Sequence, residues 1–171
     1  MMQLSQYSDK NLLCTVYHGL FKPYLQYGVT VWGNSNKQET KRVFRLQKKA
    51  IRTILRRKTS ETCRNCFKNL DILTFSSLYI YKTIMYITKG SEDWITNASV
   101  HTHNTRKKNE VRSIPHRLAG LEKGPQYSGI RLLRSLPKTL QDSVLHNDFP
   151  KKLKDYLIGK EFYSVAEYLC H

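Results

Sequence analysis

Acidic residues are scarce in this chain: 13 Asp and Glu stand against 29 Lys and Arg, a formal net charge of +16 over 171 residues. The few carboxylates are also scattered. No Asp-Asp, Asp-x-Asp or Glu-x-x-His pair occurs. Metal-dependent phosphoryl transfer needs two or three carboxylates converging on paired ions, so the raw material for it is missing. The adjacent pair Glu92-Asp93 follows Gly90-Ser91 and reads as solvated. There is no Gly-x-x-x-x-Gly-Lys-Ser/Thr stretch and no Gly-x-Ser-x-Gly stretch, which removes a phosphate loop and a nucleophile elbow.

Long apolar runs are lacking too, so no membrane span is expected. "MMQLSQYSDK" lacks the apolar core of a secretory signal. Four cysteines then fit reduced thiols, and the expected location is nucleus or cytoplasm. Asn97-Ala98-Ser99, a glycosylation sequon, is read as chance in that setting. Cys63-Arg64-Asn65-Cys66 has metal-ligand spacing, but no second cysteine pair exists. His101 and His103 lie about 35 residues on and miss the usual finger spacing. The simpler reading makes Cys63 and Cys66 small residues at the start of a short helix. His101, His103 and His116 have no nearby nucleophile. No catalytic residue, metal or cofactor is therefore expected from the residues themselves.

What is present in excess is positive charge, which speaks to partners more than to fold. Nucleic acid is the first candidate, an anionic membrane surface the second. Residues 1–90 hold 16 basic and 4 acidic residues, net +12; residues 91–171 hold 13 and 9, net +4. A polyanion-facing surface belongs mostly to the first half.

The hydrophobic pattern predicts a mainly α fold. Leu12, Leu13, Val16, Tyr17 and Leu20 recur at helical steps behind Asp9, a candidate N-cap. Pro23 should stop or kink that helix near Phe21. Tyr24, Tyr27, Val31 and Trp32 resume the spacing up to Gly33-Asn34-Ser35-Asn36. Residues 74–89 are apolar nearly all round. Their aromatic and β-branched content permits a strand, while their length favours a buried helix capped by Thr74 and stopped at Gly90. Residues 91–126 read as a loop-rich connector punctuated by Pro115, Gly120, Gly124 and Pro125, with the basic run Arg106-Lys107-Lys108. Short helices follow at 127–136 and 148–158, and Ser164 with Glu167 forms a capping box before the last one. Three regions are thus expected: a helical bundle over 1–90, the connector over 91–126, and a C-terminal helical region over 127–171.

The most legible helix spans 38–57. At 100° per residue, Lys41, Arg42, Arg45, Lys48, Lys49, Arg52 and Arg56 fall within an arc of roughly 120°. Val43, Phe44, Leu46, Ala50, Ile51, Ile54 and Leu55 fill the other side. Two clean faces mean that one is buried and one presented. The bland interpretation of such a run is a solvated face. Its one-sided arc and the charge of this half favour phosphate contact instead. Tyr27, Trp32, Tyr79 and Tyr81 could stack on bases, although core packing is the commoner role of such residues.

Tyr24-Leu25-Gln26-Tyr27-Gly28, Trp32-Gly33 and Leu46-Gln47-Lys48-Lys49-Ala50-Ile51-Arg52 are followed by Leu70-Asp71-Ile72-Leu73-Thr74 with Leu78-Tyr79, by Asn104-Thr105-Arg106, by Leu136-Pro137, by Phe149 with Leu153, and by Phe162-Tyr163-Ser164. In this order, from about Lys10 to Tyr168, they resemble the segment that follows the catalytic palm in LINE-type (non-LTR) retrotransposon reverse transcriptases of the jockey kind. Each stretch alone is weak; the ordered series is more specific. The resemblance implies a helical thumb over 1–90 and a C-terminal region, with Lys48, Lys49 and Arg52 on a thumb helix that grips the template–primer backbone. It implies RNA, DNA or hybrid as partner, or a reverse-transcriptase palm domain on which the thumb docks. The fingers, the palm with its Tyr-x-Asp-Asp box and the endonuclease of that family lie upstream of this region, so the chain resembles a truncated element and no polymerase activity is expected of it alone. Two other classes remain: a helical interaction module with a sticky apolar surface, and, ranked last, a peripheral membrane binder using its basic amphipathic helix.

Overall fold

A computed structural model of the chain describes residues 9–33, 37–89 and 124–171. Expectations for residues 91–123 of the connector, Gly90, Glu92-Asp93, the sequon, the Arg106 run, the Asn34–Asn36 stop and His101, His103 and His116 fall outside the described residues, while the connector's last two residues, Pro125 and Gln126, already belong to a helix, the proline serving as its first residue. Among those described, all regular structure is helical. The mainly α class is therefore observed.

Helix α1 (Lys10–Val16) starts where the Asp9 carboxylate accepts the Lys10 N–H at 2.6 Å. The expected kink comes as one π-helical turn, Tyr17–Phe21, immediately before α2 (Lys22–Gln26). Pro23 has no N–H and its ring crowds the carbonyl of the preceding turn, and a widened turn relieves both. Gly28, at φ +58°, then reverses the chain into α3 (Val29–Trp32).

Helix α4 (Lys37–Ile54) packs on α1, and a short helix α5 (Cys66–Asn69) follows a loop. Next comes α6 (Phe75–Lys89), the hub of the molecule. It buries Phe75, Leu78, Tyr79, Ile80, Ile84 and Ile87. A helix this apolar needs cover on most of its surface, and α3, α4 and three C-terminal helices pack on it, leaving Tyr86 exposed. Thr74 caps it: its hydroxyl accepts the Ser77 N–H at 3.1 Å.

The C-terminal residues supply α7 (Pro125–Arg134), α8 (Lys138–Asp142), α9 (Phe149–Lys160) and α10 (Val165–Leu169). The α7–α6 contact is the most extensive among the described helices. Gly129 permits it, because a Cβ there would stand 2.6 Å from Ile87 Cγ2. Ser164 and Glu167 cap α10. The Ser164 hydroxyl accepts the Glu167 N–H at 3.0 Å, and the Glu167 carboxylate reaches back to the Tyr163 N–H at 2.6 Å. One hydrophobic cluster draws on both halves, from Leu13 and Tyr17 to Leu157, Phe162 and Tyr168.

The two halves are also tied by a buried carboxylate. Glu161 ends α9 with φ +49° and is only 4% exposed. Its oxygens accept the Asn65 N–H at 2.6 Å and the Lys68 N–H at 2.7 Å, at the N-terminal end of α5. A carboxylate at a helix start satisfies orphan donors and suits the dipole. Glu161→Ala strands two N–H groups in the interior. It should destabilise the fold by about 3 kcal/mol, a fall in Tm of roughly 10 °C. Glu161→Gln, which keeps one acceptor, should lose less, and thermal unfolding followed by circular dichroism compares the two.

Candidate nucleic-acid interface

Helix α4 carries the basic arc because its opposite face is held in the core at Phe44, Gln47, Ala50, Ile51 and Ile54. Leu46 was expected on that inner face and is instead 59% exposed. Gln47, a polar residue, replaces it at the centre of the contact and is fully buried. Helical geometry explains the exchange: Phe44, Gln47, Ile51 and Ile54 repeat at three and four, whereas Leu46 lies about 100° from Gln47. The Gln47 amide donates to the Tyr17 hydroxyl at 3.0 Å and to the Leu73 carbonyl at 2.9 Å. One glutamine therefore joins α4 to the π turn and to the strap before α6.

The helix also ends earlier than 57. Its last helical residue is Ile54. Arg56 adopts φ +53°, and the Arg57 N–H reaches back to the Arg52 carbonyl at 2.9 Å while the Arg56 N–H bonds the Thr53 carbonyl at 3.3 Å. This pair of bonds is a Schellman cap with arginine in the left-handed position usually taken by glycine. Arg56 consequently leaves the helical projection that placed it in the arc.

The other six cations divide by what they touch. Arg52 turns toward the loop: its Nε and Nη2 both donate to the Glu61 carbonyl, at 3.0 and 2.8 Å. Lys48 is half-buried, with Nζ 4.8 Å from the Phe44 ring centroid and 5.8 Å from that of Tyr163. The Lys48 carbonyl meanwhile accepts the Cys63 thiol at 3.7 Å. Arg42 pairs with Glu39 at 3.0 Å, an exposed contact of little energetic weight. Lys41, Arg45 and Lys49 are exposed and have no carboxylate partner among the described residues. They stand four residues apart, a ladder of three free cations along one edge of α4.

The other singled-out residues are resolved by packing. Tyr79 is buried and Trp32 stacks on Phe75 with centroids 5.3 Å apart. Tyr81 is half-buried. Tyr27 is 84% exposed. Cys63 and Cys66 are buried, and each thiol faces a backbone carbonyl, Cys66 that of Thr62 at 3.8 Å. Desolvation pushes the Cys63 thiol above its usual pKa. Cys66 opens the short helix α5, as the sequence suggested. Among the described residues no helix is long and apolar enough to cross a membrane, and no cluster of three or more His, Cys, Asp or Glu is placed to hold a metal.

Sequence reasoning missed Gln47 and Tyr163. Gln47 offered one signal, its position at the midpoint of an otherwise apolar face. Tyr163 offered none, since it reaches α4 from more than 100 residues away. No protein-family model, curated protein sequence or solved structure matches this chain.

Arg52→Ala should cost about 1–2 kcal/mol through its two lost hydrogen bonds, whereas Lys41→Ala and Lys49→Ala should stay within about 0.5 kcal/mol of wild type; urea unfolding of the three variants separates them. Burial pushes the Tyr17 hydroxyl up to about 12, the Gln47 hydrogen bond pulling weakly the other way. Its folded pKa is thus raised above the unfolded value, so its contribution is complete below about pH 10 and is lost as the pH climbs from about 10 to 12. Burial also raises Tyr163 and Tyr168. Unfolding free energy should fall across that window, and Tyr17→Phe should flatten the fall by up to about 1.4 kcal/mol per pH unit.

Proposed function

We propose that this protein is a non-catalytic nucleic-acid-binding helical module, equivalent to the thumb and post-thumb region of a LINE-type reverse transcriptase, and that it grips the phosphate backbone of RNA, DNA or a hybrid through the outward face of α4. The observation that carries this reading is the Lys41, Arg45, Lys49 ladder. Like charges four apart on a helix repel and cost about 0.2–0.5 kcal/mol per pair. No carboxylate among the described residues relieves that cost at these three positions. A phosphate backbone would. Arg42 adds a fourth exposed cation, since its Glu39 pair is weak and readily exchanged. Lys48 and Arg52, although inside the arc, serve chiefly to hold α4 on the loop and on Tyr163. Backbone contact of this kind is indifferent to sequence and sensitive to salt.

A second reading draws on another observation. Leu20, Tyr24, Tyr27 and Val31 are all well exposed, on both sides of the Gly28 turn. Exposed apolar and aromatic side chains of this kind support a module that docks on a protein, such as a polymerase palm.

A salt titration of binding to a labelled RNA–DNA hybrid tests the first reading. Wild type should lose affinity steeply with salt, with a log–log slope of about −0.9 per phosphate contacted for a B-form duplex and of similar size for a hybrid. Lys41→Glu/Arg45→Glu/Lys49→Glu should remove most of that slope while leaving the unfolding temperature within a few degrees of wild type. Equal slopes for the two proteins would make the face solvated surface and leave the docking reading standing.

A further inference from the structure

A second basic feature lies away from the α4 arc. The π turn, α2, the strap before α6, α6 itself and α9 enclose a cleft of about 270 Å³. Three half-buried lysines converge on it from three different helices: Lys22 of α2, Lys82 of α6 and Lys154 of α9. Asp71 is the one carboxylate in its lining, and it holds Lys154 at 2.5 Å. Lys22 and Lys82 have no carboxylate partner among the described residues. Desolvation first, then the charges of Lys22 and Lys154, lower the pKa of His18 on the rim, with Asp71 pulling the other way. Tyr81 and Leu78 provide an apolar wall beside the charges.

We propose that this cleft binds a phosphate monoester, held by Lys22, Lys82 and Lys154, with Asp71 as the internal anion that the ligand displaces from Lys154. Charge selects the ligand class. Three lysines against one aspartate leave a net of two positive charges lining the cleft. A monoester carries about −1.5 to −2 charges at pH 7 and three acceptor oxygens. A backbone diester carries one charge and has chain on both sides. The volume lies near the lower limit of small-ligand pockets, which are roughly 300 Å³ and upward. It suits a phosphate with one ring-sized organic group against Tyr81. The phosphate could come from a free mononucleotide or from the phosphorylated end of a polynucleotide. None of the α4 cations takes part, so the proposal is independent of the backbone-binding reading.

Isothermal titration calorimetry of the full chain with adenosine 5′-monophosphate and with adenosine tests it. The nucleotide should bind at least about ten-fold more tightly than the nucleoside. Lys22→Ala and Lys82→Ala should each weaken it by about five-fold or more. Asp71→Asn should tighten it by roughly three-fold or more, because the competing charge is gone. Asparagine tolerates the left-handed backbone of position 71, at φ +53°. A gain in affinity cannot arise from misfolding, so this variant guards against trivial loss. Equal binding of nucleotide and nucleoside, or no tightening in Asp71→Asn, overturns the proposal. Competition by 5′-phosphorylated and 5′-hydroxyl forms of one oligonucleotide, run in the Lys41→Glu/Arg45→Glu/Lys49→Glu background, identifies the source. A preference for the phosphorylated form assigns a polynucleotide end, and no competition by either form assigns the small ester. Equal competition by both forms, which only backbone diesters could produce, overturns the monoester chemistry.

Discussion

The position of α4 depends on a carboxylate that does not touch it. Glu161 closes α9 and caps the start of α5 through the Asn65 and Lys68 amides. That fixes the loop running from Glu61 to Cys66. The loop then meets α4 twice: the Glu61 carbonyl receives the Arg52 guanidinium, and the Cys63 thiol donates to the Lys48 carbonyl. Two residues beyond Glu161, Tyr163 packs edge-on against Phe44 at 4.9 Å. Arg64 covers the same ring, its Cζ 4.0 Å from the centroid. The C-terminal residues thus seat α4 against the loop and Tyr163, and those contacts engage Lys48 and Arg52 while Lys41, Arg45 and Lys49 stay exposed. A buried charge is tolerable here because both oxygens have short, charge-assisted bonds to backbone donors.

The basic arc, seen from the sequence as one face of seven cations, resolves into two populations. Lys48 and Arg52 lie against protein, the Lys48 ammonium over the Phe44 and Tyr163 rings and the Arg52 guanidinium on the Glu61 carbonyl. Lys41, Arg45 and Lys49 are exposed. These three are the ones with no protein partner among the described residues to give up in exchange for another anion. Charge reversal along the whole arc would mix the two effects, since introducing Glu at 48 or 52 puts a carboxylate against Glu61 or Tyr163 and strains the fold itself.

Local features were readable because their causes are local. The Asp9 cap, the Ser164–Glu167 box, the Thr74 cap and the proline-induced irregularity each arise within four residues, and periodicity alone separated α4's two sides. The errors have a common origin in tertiary context. Leu46 scored as core by hydrophobicity, but Gln47 lies under the π turn, where the Tyr17 hydroxyl and Leu73 carbonyl need a donor. The end of α4 at Ile54 was hidden because the left-handed residue is arginine, not the glycine that would mark a stop. Glu161, Tyr163 and the lysines of the cleft were invisible for the same reason: their partners lie about 60 to 130 positions away, and no spacing rule reaches that far.

Tyr17 links the two basic features without belonging to either. One side of its ring lines the cleft. Its hydroxyl accepts the Gln47 amide at the centre of α4's buried face. The wall of the cleft and the seat of α4 are therefore one residue, held on a π turn whose existence follows from Pro23. A π turn places Tyr17 and Phe21 with ring centroids 5.3 Å apart and leaves Leu20 facing solvent. Restoring a regular α-helix there would rotate the preceding residues by a fraction of a turn, moving Tyr17 away from Gln47 and opening the cleft floor. The irregularity, usually counted as a defect, is what lets one short segment serve the core on one side and a charged cavity on the other.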